Sequence, residues 1–127
     1  MNIVELVTKP ASEQRKALLN KDVSAVELVE AVYKNIEKCD DKIDAYNSLT
    51  KETALNTAKQ VDEKIKNGEK IPPLAGIPLA LKDNINLKGS LTTASSKILA
   101  NFISPYDATV SKKLKENLIP IVGKANL

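Results

Sequence analysis

An apolar run that stops at two opposite charges constrains this chain more than any other feature. Residues 74–81 (Leu-Ala-Gly-Ile-Pro-Leu-Ala-Leu) follow a Pro-Pro pair and lead directly into Lys82 and Asp83. A short apolar run bounded by Gly and Pro is typical of a strand buried on both faces. Ligands of open α/β sheets bind at the carboxyl ends of strands, so Lys82 lies where a functional residue is expected.

The segment before this run is predicted to be mainly helical. The expected elements are helical turns over 11–19, a helix from the capping box Ser24–Glu27 to Asp40, an extended segment over 45–49, and a helix capped near Thr50 and ended by Asn67-Gly68. The Ala-rich face of the last helix predicts close packing on a neighbour.

A polar loop, a helix and a second strand are expected after the run. The loop, residues 90–96 (Ser-Leu-Thr-Thr-Ala-Ser-Ser), is expected to cross near Lys82. Asp107 is expected to cap a helix that reaches Leu118. Residues 119–122 (Ile-Pro-Ile-Val) indicate a second buried strand, with Pro120 at its start or on an edge. This βαβ-like order predicts an α/β fold with a parallel pair of strands.

Two parallel strands are too few for a sheet that is covered on both faces. The sequence is therefore expected to be the opening of a larger α/β protein. Residues 1–127 would form the N-terminal portion of a single domain, with 1–70 mainly helical and 71–127 starting the α/β core.

The amino-acid composition excludes several kinds of catalytic and metal-binding site. The chain has no histidine and one cysteine, Cys39, which excludes Ser-His-Asp and Cys-His catalysis, histidine metal sites and an intrachain disulfide. Cys39 is expected to be a small buried hydrophobe. The net charge of +3 is dispersed along the chain, so it does not predict a nucleic-acid-binding patch. No signal peptide and no membrane span are visible, so a cytoplasmic location is expected.

Lys82 is the candidate catalytic residue. A lysine at a strand end is ordinarily a solvated side chain, but the apolar residues before Lys82 are expected to lead it into desolvated surroundings. Desolvation lowers the pKa of a lysine and lets the neutral amine act as a base. The loop over 90–96 supplies hydroxyls, and Ser-Lys pairs serve in catalytic sites that lack histidine. Asp83 alternates to the opposite side of the strand, so it is expected to be a structural hydrogen-bond acceptor.

Two other motifs carry no predicted site. Gly123-Lys124 lacks the remaining residues of a phosphate-binding P-loop, since Leu118 and Ala125 stand where glycine and Ser/Thr are required. The carboxylates at 40, 41 and 44 lack the glycine and the distal glutamate of a calcium loop, so a solvated helix–loop junction is expected there.

The segment from Leu74 to Asn84 resembles the lysine motif of the amidase signature family. The blocks around it are similar to the family in the same order: 24–40, 44–47, 54–68, 92–99, 106–110 and 123–126. Within the family, the pattern is most similar to the branch that supplies the A subunits of tRNA-dependent amidotransferases. The implied fold is an incomplete amidase signature fold, in which N-terminal helices precede the first strands of a mixed sheet covered by helices.

The resemblance implies a Ser–cis-Ser–Lys triad in which Lys82 takes the lysine role. The family's two serines lie beyond the block that corresponds to residues 123–127, so this chain alone is expected to be inactive. Ser95 and Ser96 are therefore not assigned to the triad. Ala125 and Leu127 depart from the Thr and Met that are usual in the family.

For the full-length protein, the resemblance implies glutamine hydrolysis that supplies ammonia for converting Glu-tRNA(Gln) to Gln-tRNA(Gln). The implied partners are B and C subunits of a heterotrimer. No cofactor or metal is expected in this chain, whereas ATP and Mg are expected at the partner subunit. Substrate-binding residues are not identified. Two alternatives stay open: another amide hydrolase of the family, and a non-catalytic fragment or interaction module.

Overall fold

The computed structural model describes residues 2–127, which form helices around a small mixed sheet. The elements in chain order are α1 Ile3–Leu6, α2 Ala11–Leu19, α3 Ala25–Ile43, β1 Tyr46–Leu49, α4 Lys51–Lys66, β2 Leu79–Lys82, a 3₁₀ turn Lys97–Leu99, α5 Thr109–Glu116 and β3 Ile121–Ala125. The predicted α/β class is confirmed. Among these residues, no helix is both long and apolar enough to cross a bilayer.

Strand β3 lies at the centre of the three-stranded sheet, in the order β1-β3-β2. Strand β2 pairs with it in parallel, from Leu79 opposite Ile121 to Lys82 opposite Ala125. This confirms the predicted parallel pair. Strand β1 pairs with the other edge of β3 in antiparallel orientation. This confirms the mixed sheet that the family resemblance implies, although the sequence did not predict that residues 46–49 would pair with β3.

The main core packs α3 and α4 against the sheet through aliphatic side chains. Leu28 and Val29 of α3 meet Ala58 and Val61 of α4, and Val122 of β3 belongs to the same cluster. Alanines on the facing side of α4 let the two helices approach closely, as predicted. The turn before β2 also packs closely on these helices: Gly76 has a φ of +79°, and a Cβ added there would lie 3.0 Å from the Val61 side chain.

The capping box at the start of α3 is confirmed, and α4 adds to it. The Ser24 hydroxyl accepts from the Glu27 N–H at 3.1 Å, and Glu27 accepts from the Ser24 N–H at 2.8 Å. The Asp62 carboxylate accepts from the N–H groups of Ala25 and Val26 at 2.7 and 3.1 Å. These bonds pair N–H groups that the first helical turn leaves without intrahelical partners.

Helix α3 ends at Ile43, three residues beyond its predicted end at Asp40. The Asp40 carboxylate accepts from the N–H of Ala45 at 2.8 Å, so it stabilises the turn after the helix. Cys39, on the last turns of α3, is half-buried, which corrects its prediction as a buried residue. Its surroundings are open because a cavity of about 290 Å³ lies between this end of α3 and the sheet.

The apolar run is not a strand buried on both faces. Residues 73–76 form turns, and the strand begins only at Leu79. Within β2, Leu81 is buried whereas Ala80 is exposed. The reason is that the apolar cluster of Leu81, Leu87 and Ile121 lies on one face of β2.

The predicted cap at Asp107 is wrong, whereas Thr50 is the N-cap residue of α4, as predicted, but its side chain makes no cap bond. Helix α5 begins after Ala108, and Asp107 instead accepts from the N–H of Lys88 and from the ammonium of Lys115. The Thr50 hydroxyl does not cap α4, because it donates to the carbonyl of Ile121 at 2.6 Å. In both cases a contact with a distant segment replaces the local cap.

Candidate functional site

Lys82 is the last residue of β2, opposite Ala125 of β3. Its side chain is exposed, as is that of Ala80 two residues earlier, so the expected desolvated surroundings are not present. Residues 80 and 82 share the strand face opposite the buried Leu81, because side chains alternate along a strand. Among residues 2–127, no hydroxyl group is hydrogen-bonded to the Lys82 amine, and its catalytic role stays a prediction.

Asp83 lies at the centre of a buried polar cluster. Its side chain is 0% exposed, and its carboxylate accepts from the Asn47 amide at 2.8 Å, from the Thr93 hydroxyl, and from the Lys124 ammonium at 3.2 Å. Its backbone is paired as well, because its N–H donates to the carbonyl of Ala125 at 2.9 Å. Asp83 is thus a structural acceptor, as predicted.

Lys124 supplies the opposite charge, and the sequence did not reveal its role. Its side chain is 0% exposed, and its ammonium donates to Asp83 Oδ1 at 3.2 Å, to the Leu91 carbonyl at 3.2 Å and to Thr92 Oγ1 at 3.1 Å. These bonds use the three donors of the ammonium group. A signal was available: a lysine that continues an apolar strand requires a buried partner, and an aspartate directly follows the neighbouring strand.

Hydrogen bonding outweighs burial at Asp83. Burial raises the pKa of this carboxyl, but the hydrogen bonds from Thr93, Asn47 and Lys124 bring the pKa below its ordinary value. Burial also lowers the pKa of Lys124, although the Asp83 carboxylate opposes this change. The pair is therefore an ammonium and a carboxylate that depend on each other inside the protein.

The polar loop wraps around this cluster. It crosses beside Asp83, whose carbonyl accepts from the N–H of Ala94 at 3.0 Å. Ala94 and Ser95 have left-handed φ values of 49° and 55°. The Ser95 hydroxyl donates to Asn126 Oδ1 at 2.7 Å and accepts from the Asn47 amide at 3.0 Å. The hydroxyls of Thr93 and Ser95 thus serve the cluster, and the loop is tied to the ends of β1 and β3.

The remaining sequence motifs lie within regular elements. Gly123 and Lys124 are part of β3, so they form no phosphate-binding loop, as predicted. Among residues 2–127, no group of three or more His, Cys, Asp or Glu residues is placed to hold a metal ion.

The chain matches known proteins over nearly its whole length. The sequence model of the Amidase family matches residues 27–127. A Fusobacterium nucleatum protein, named as the A subunit of glutamyl-tRNA(Gln) amidotransferase, is 50% identical over 126 residues, 99% of this chain and 25% of the relative. A protein of the same name from Carboxydothermus hydrogenoformans is 49% identical over 127 residues, 100% of this chain and 26% of the relative.

The fold is shared with a solved enzyme. The peptide amidase from Stenotrophomonas maltophilia superimposes with a TM-score of 0.86 at 29% identity, over 94% of this chain and 25% of that enzyme. This chain thus spans about a quarter of the length of the curated relatives that it matches. The family match, the relatives and the shared fold agree with the lysine motif at 74–84: the chain belongs to the amidase family.

Proposed function

We propose that this chain is the N-terminal part of the A subunit of a glutamine-dependent amidotransferase. In full length, the subunit would hydrolyse glutamine and supply ammonia for the conversion of Glu-tRNA(Gln) to Gln-tRNA(Gln). The observation that carries this proposal is the 50% identity over 126 residues to a protein of that name. Identity to the peptide amidase is 29%, so the amidotransferase is favoured over another amide hydrolase of the family.

In the proposed reaction, Lys82 acts as the base of the Ser–cis-Ser–Lys triad that the family resemblance implies. The amine takes a proton, through the cis serine, from the serine that attacks the side-chain amide carbonyl of glutamine. The C–N bond breaks, the proton leaves with ammonia, and a γ-glutamyl ester remains. Water then hydrolyses the ester to glutamate. Lys82 lies exposed at the end of β2, so its amine is accessible to other groups.

The proposed complex contains B and C subunits, with ATP and Mg²⁺ handled by the partner that amidates the tRNA-bound glutamate. We assign no cofactor to this chain. We expect a cytoplasmic location for the complex, since its proposed substrate is an aminoacyl-tRNA.

A chimeric enzyme tests the proposal. The aligned 126-residue segment of the Fusobacterium nucleatum protein is replaced by this chain and combined with its partner subunits, and glutamine hydrolysis is measured. We expect turnover that falls about 10²–10⁴-fold in the Lys82→Ala variant, the contribution typical of general acid–base catalysis. The control is Lys112→Ala, which removes an exposed lysine from α5. Full turnover in the Lys82→Ala enzyme would overturn the assignment.

The chain by itself is proposed to be inactive towards glutamine. The supporting observation is that, among residues 2–127, the loop hydroxyls nearest β2 bond to Asp83 and Lys124 rather than to Lys82. Glutamine hydrolysis by the isolated chain that disappears in Lys82→Ala would contradict this. Hydrolysis of simple amides by the chimera without partner subunits, but not of glutamine, would favour the alternative amide hydrolase.

A further inference from the structure

We propose that the buried ion pair of Asp83 and Lys124 sets the register of β2 and thereby positions Lys82 for the reaction. This inference rests on the proposed function. Asp83 and Lys124 are positioning residues for the proposed reaction, since their side chains are buried on the face of the sheet opposite to Lys82.

The ion pair acts where ordinary strand pairing ends. The ladder between β2 and β3 stops at Lys82 opposite Ala125, and β2 is an edge strand with one neighbour. Beyond that point the strand end is held by Asp83, which shares a peptide bond with Lys82. Its N–H bonds to Ala125 and its carbonyl accepts from Ala94, so both peptide groups beside the Asp83 side chain are fixed.

The charges also determine which face Lys82 occupies. Leu81 lies opposite Lys124 in the parallel ladder, and Leu81 and Asp83 share one face because side chains alternate along a strand. A slip of β2 by one residue would turn Lys82 to the buried face and Asp83 to the exposed face. Two ammonium groups would then meet in one enclosed site without a carboxylate. The ion pair therefore makes the slipped register much higher in free energy than the observed one.

Stability alone does not account for this arrangement. Apolar residues of similar volume can replace a buried ion pair without loss of stability, whereas fixing a register is a documented use of buried polar groups. Here the ammonium also ties the strand end to the loop through Leu91 and Thr92. The ion pair thus fixes the position of the strand end, and with it the position of the adjacent residue, Lys82.

The activity arm of the test uses Asp83→Asn in the chimeric enzyme with its partner subunits. We expect kcat for glutamine to fall at least about tenfold while KM stays within about twofold, because the base is misplaced and glutamine binding is untouched. Asp107→Asn is the matched control, since Asp107 accepts from Lys115 at 2.9 Å and from the Lys88 N–H at 2.8 Å and bonds to no residue of β2. It should change neither constant.

The second arm does not depend on activity. Amide hydrogen exchange is measured on the 127-residue chain, and the N–H groups of Asp83 and Ala94 should lose protection in Asp83→Asn but not in Asp107→Asn. If Asp83→Asn fails to fold, Thr93→Val replaces it, since this variant removes one donor to Asp83 and keeps the ion pair. The same loss of protection and a smaller fall in kcat are then expected.

Each outcome decides the inference. Unchanged protection at residues 83 and 94, or lost protection with unchanged kcat in a folded chimera, overturns it. A rise in KM without a fall in kcat also overturns it, because the pair would then act on glutamine binding. If the chimera lacks glutaminase activity altogether, the proposed function fails, and the exchange data alone decide whether the pair holds the strand end.

Discussion

Replacing Lys124 by methionine isolates the energetic role of the buried charge. Methionine has nearly the volume of lysine but no donors, so Lys124→Met leaves the Asp83 carboxylate uncompensated at a site that is 0% exposed. Removing one partner of a buried ion pair costs about 3–5 kcal/mol. With about 2.1 cal/mol/K of unfolding entropy per residue, a chain of 127 residues has about 0.27 kcal/mol/K. The expected fall in the melting temperature is therefore about 11–19 °C.

The assay is thermal unfolding followed by circular dichroism, with Lys115→Met as the control. Lys115 also pairs with an aspartate, at 2.9 Å, but its side chain is 46% exposed, and an exposed pair contributes about 1 kcal/mol or less. The control should lose no more than about 4 °C. Adding Asp83→Asn to Lys124→Met removes the unpaired charge and should restore part of the loss. A Lys124→Met protein that melts no lower than Lys115→Met would refute the reasoning.

Two further predictions concern the sheet and pH. Gly123→Ala should lower stability by about 1–3 kcal/mol in urea unfolding, as overpacking does, because the added Cβ would lie 2.7 Å from the Ser48 carbonyl and 2.8 Å from the Tyr46 ring. Ser48→Ala, which removes a buried hydroxyl that has no hydrogen-bond partner, should leave stability unchanged or slightly raised; equal losses in both variants would contradict the steric argument. Stability should also fall as pH drops below about 4, the ordinary carboxyl pKa. Burial raises the pKa of Asp83 and of Asp107, but hydrogen bonds and nearby lysines lower each pKa by more than burial raises it. As pH falls, the unfolded chain therefore takes up protons before the folded chain does, and the free energy of unfolding decreases. A urea midpoint unchanged between pH 6 and pH 3 would refute this.

The buried hydrogen bonds next to the candidate site belong to Asp83 and not to Lys82. Lys82 is exposed and has no hydroxyl partner among residues 2–127, whereas its neighbour Asp83 has three side-chain donors. A functional lysine on an edge strand can be accessible and still well placed, because the fixed residue is the next one in the chain. The proposed catalytic role and the buried hydrogen bonds thus belong to adjacent residues on opposite faces of the strand.

The sequence by itself determined the local structure and the family. The capping box at Ser24, the helical periodicity after it and the apolar run before Lys82 predicted α3, β2 and the parallel partner β3, because each signal lies within about ten residues of chain. The lysine motif at 74–84 identified the amidase family before any comparison. Alternation along one strand was enough to predict that Lys82 and Asp83 lie on opposite faces and that Asp83 is a structural acceptor.

Only the tertiary structure decided the surroundings of those residues. Lys124 and Asp83 are 41 positions apart, and their contact exists because β2 and β3 pair in one register. The exposure of Lys82 depends on which segments cover its face of β2, and the antiparallel pairing of β1 depends on its contacts with β3. Local sequence patterns determine which backbone conformation is low in free energy and which face of an element is apolar. Burial and charge pairing depend on which segments meet, and that is a property of the assembled sheet.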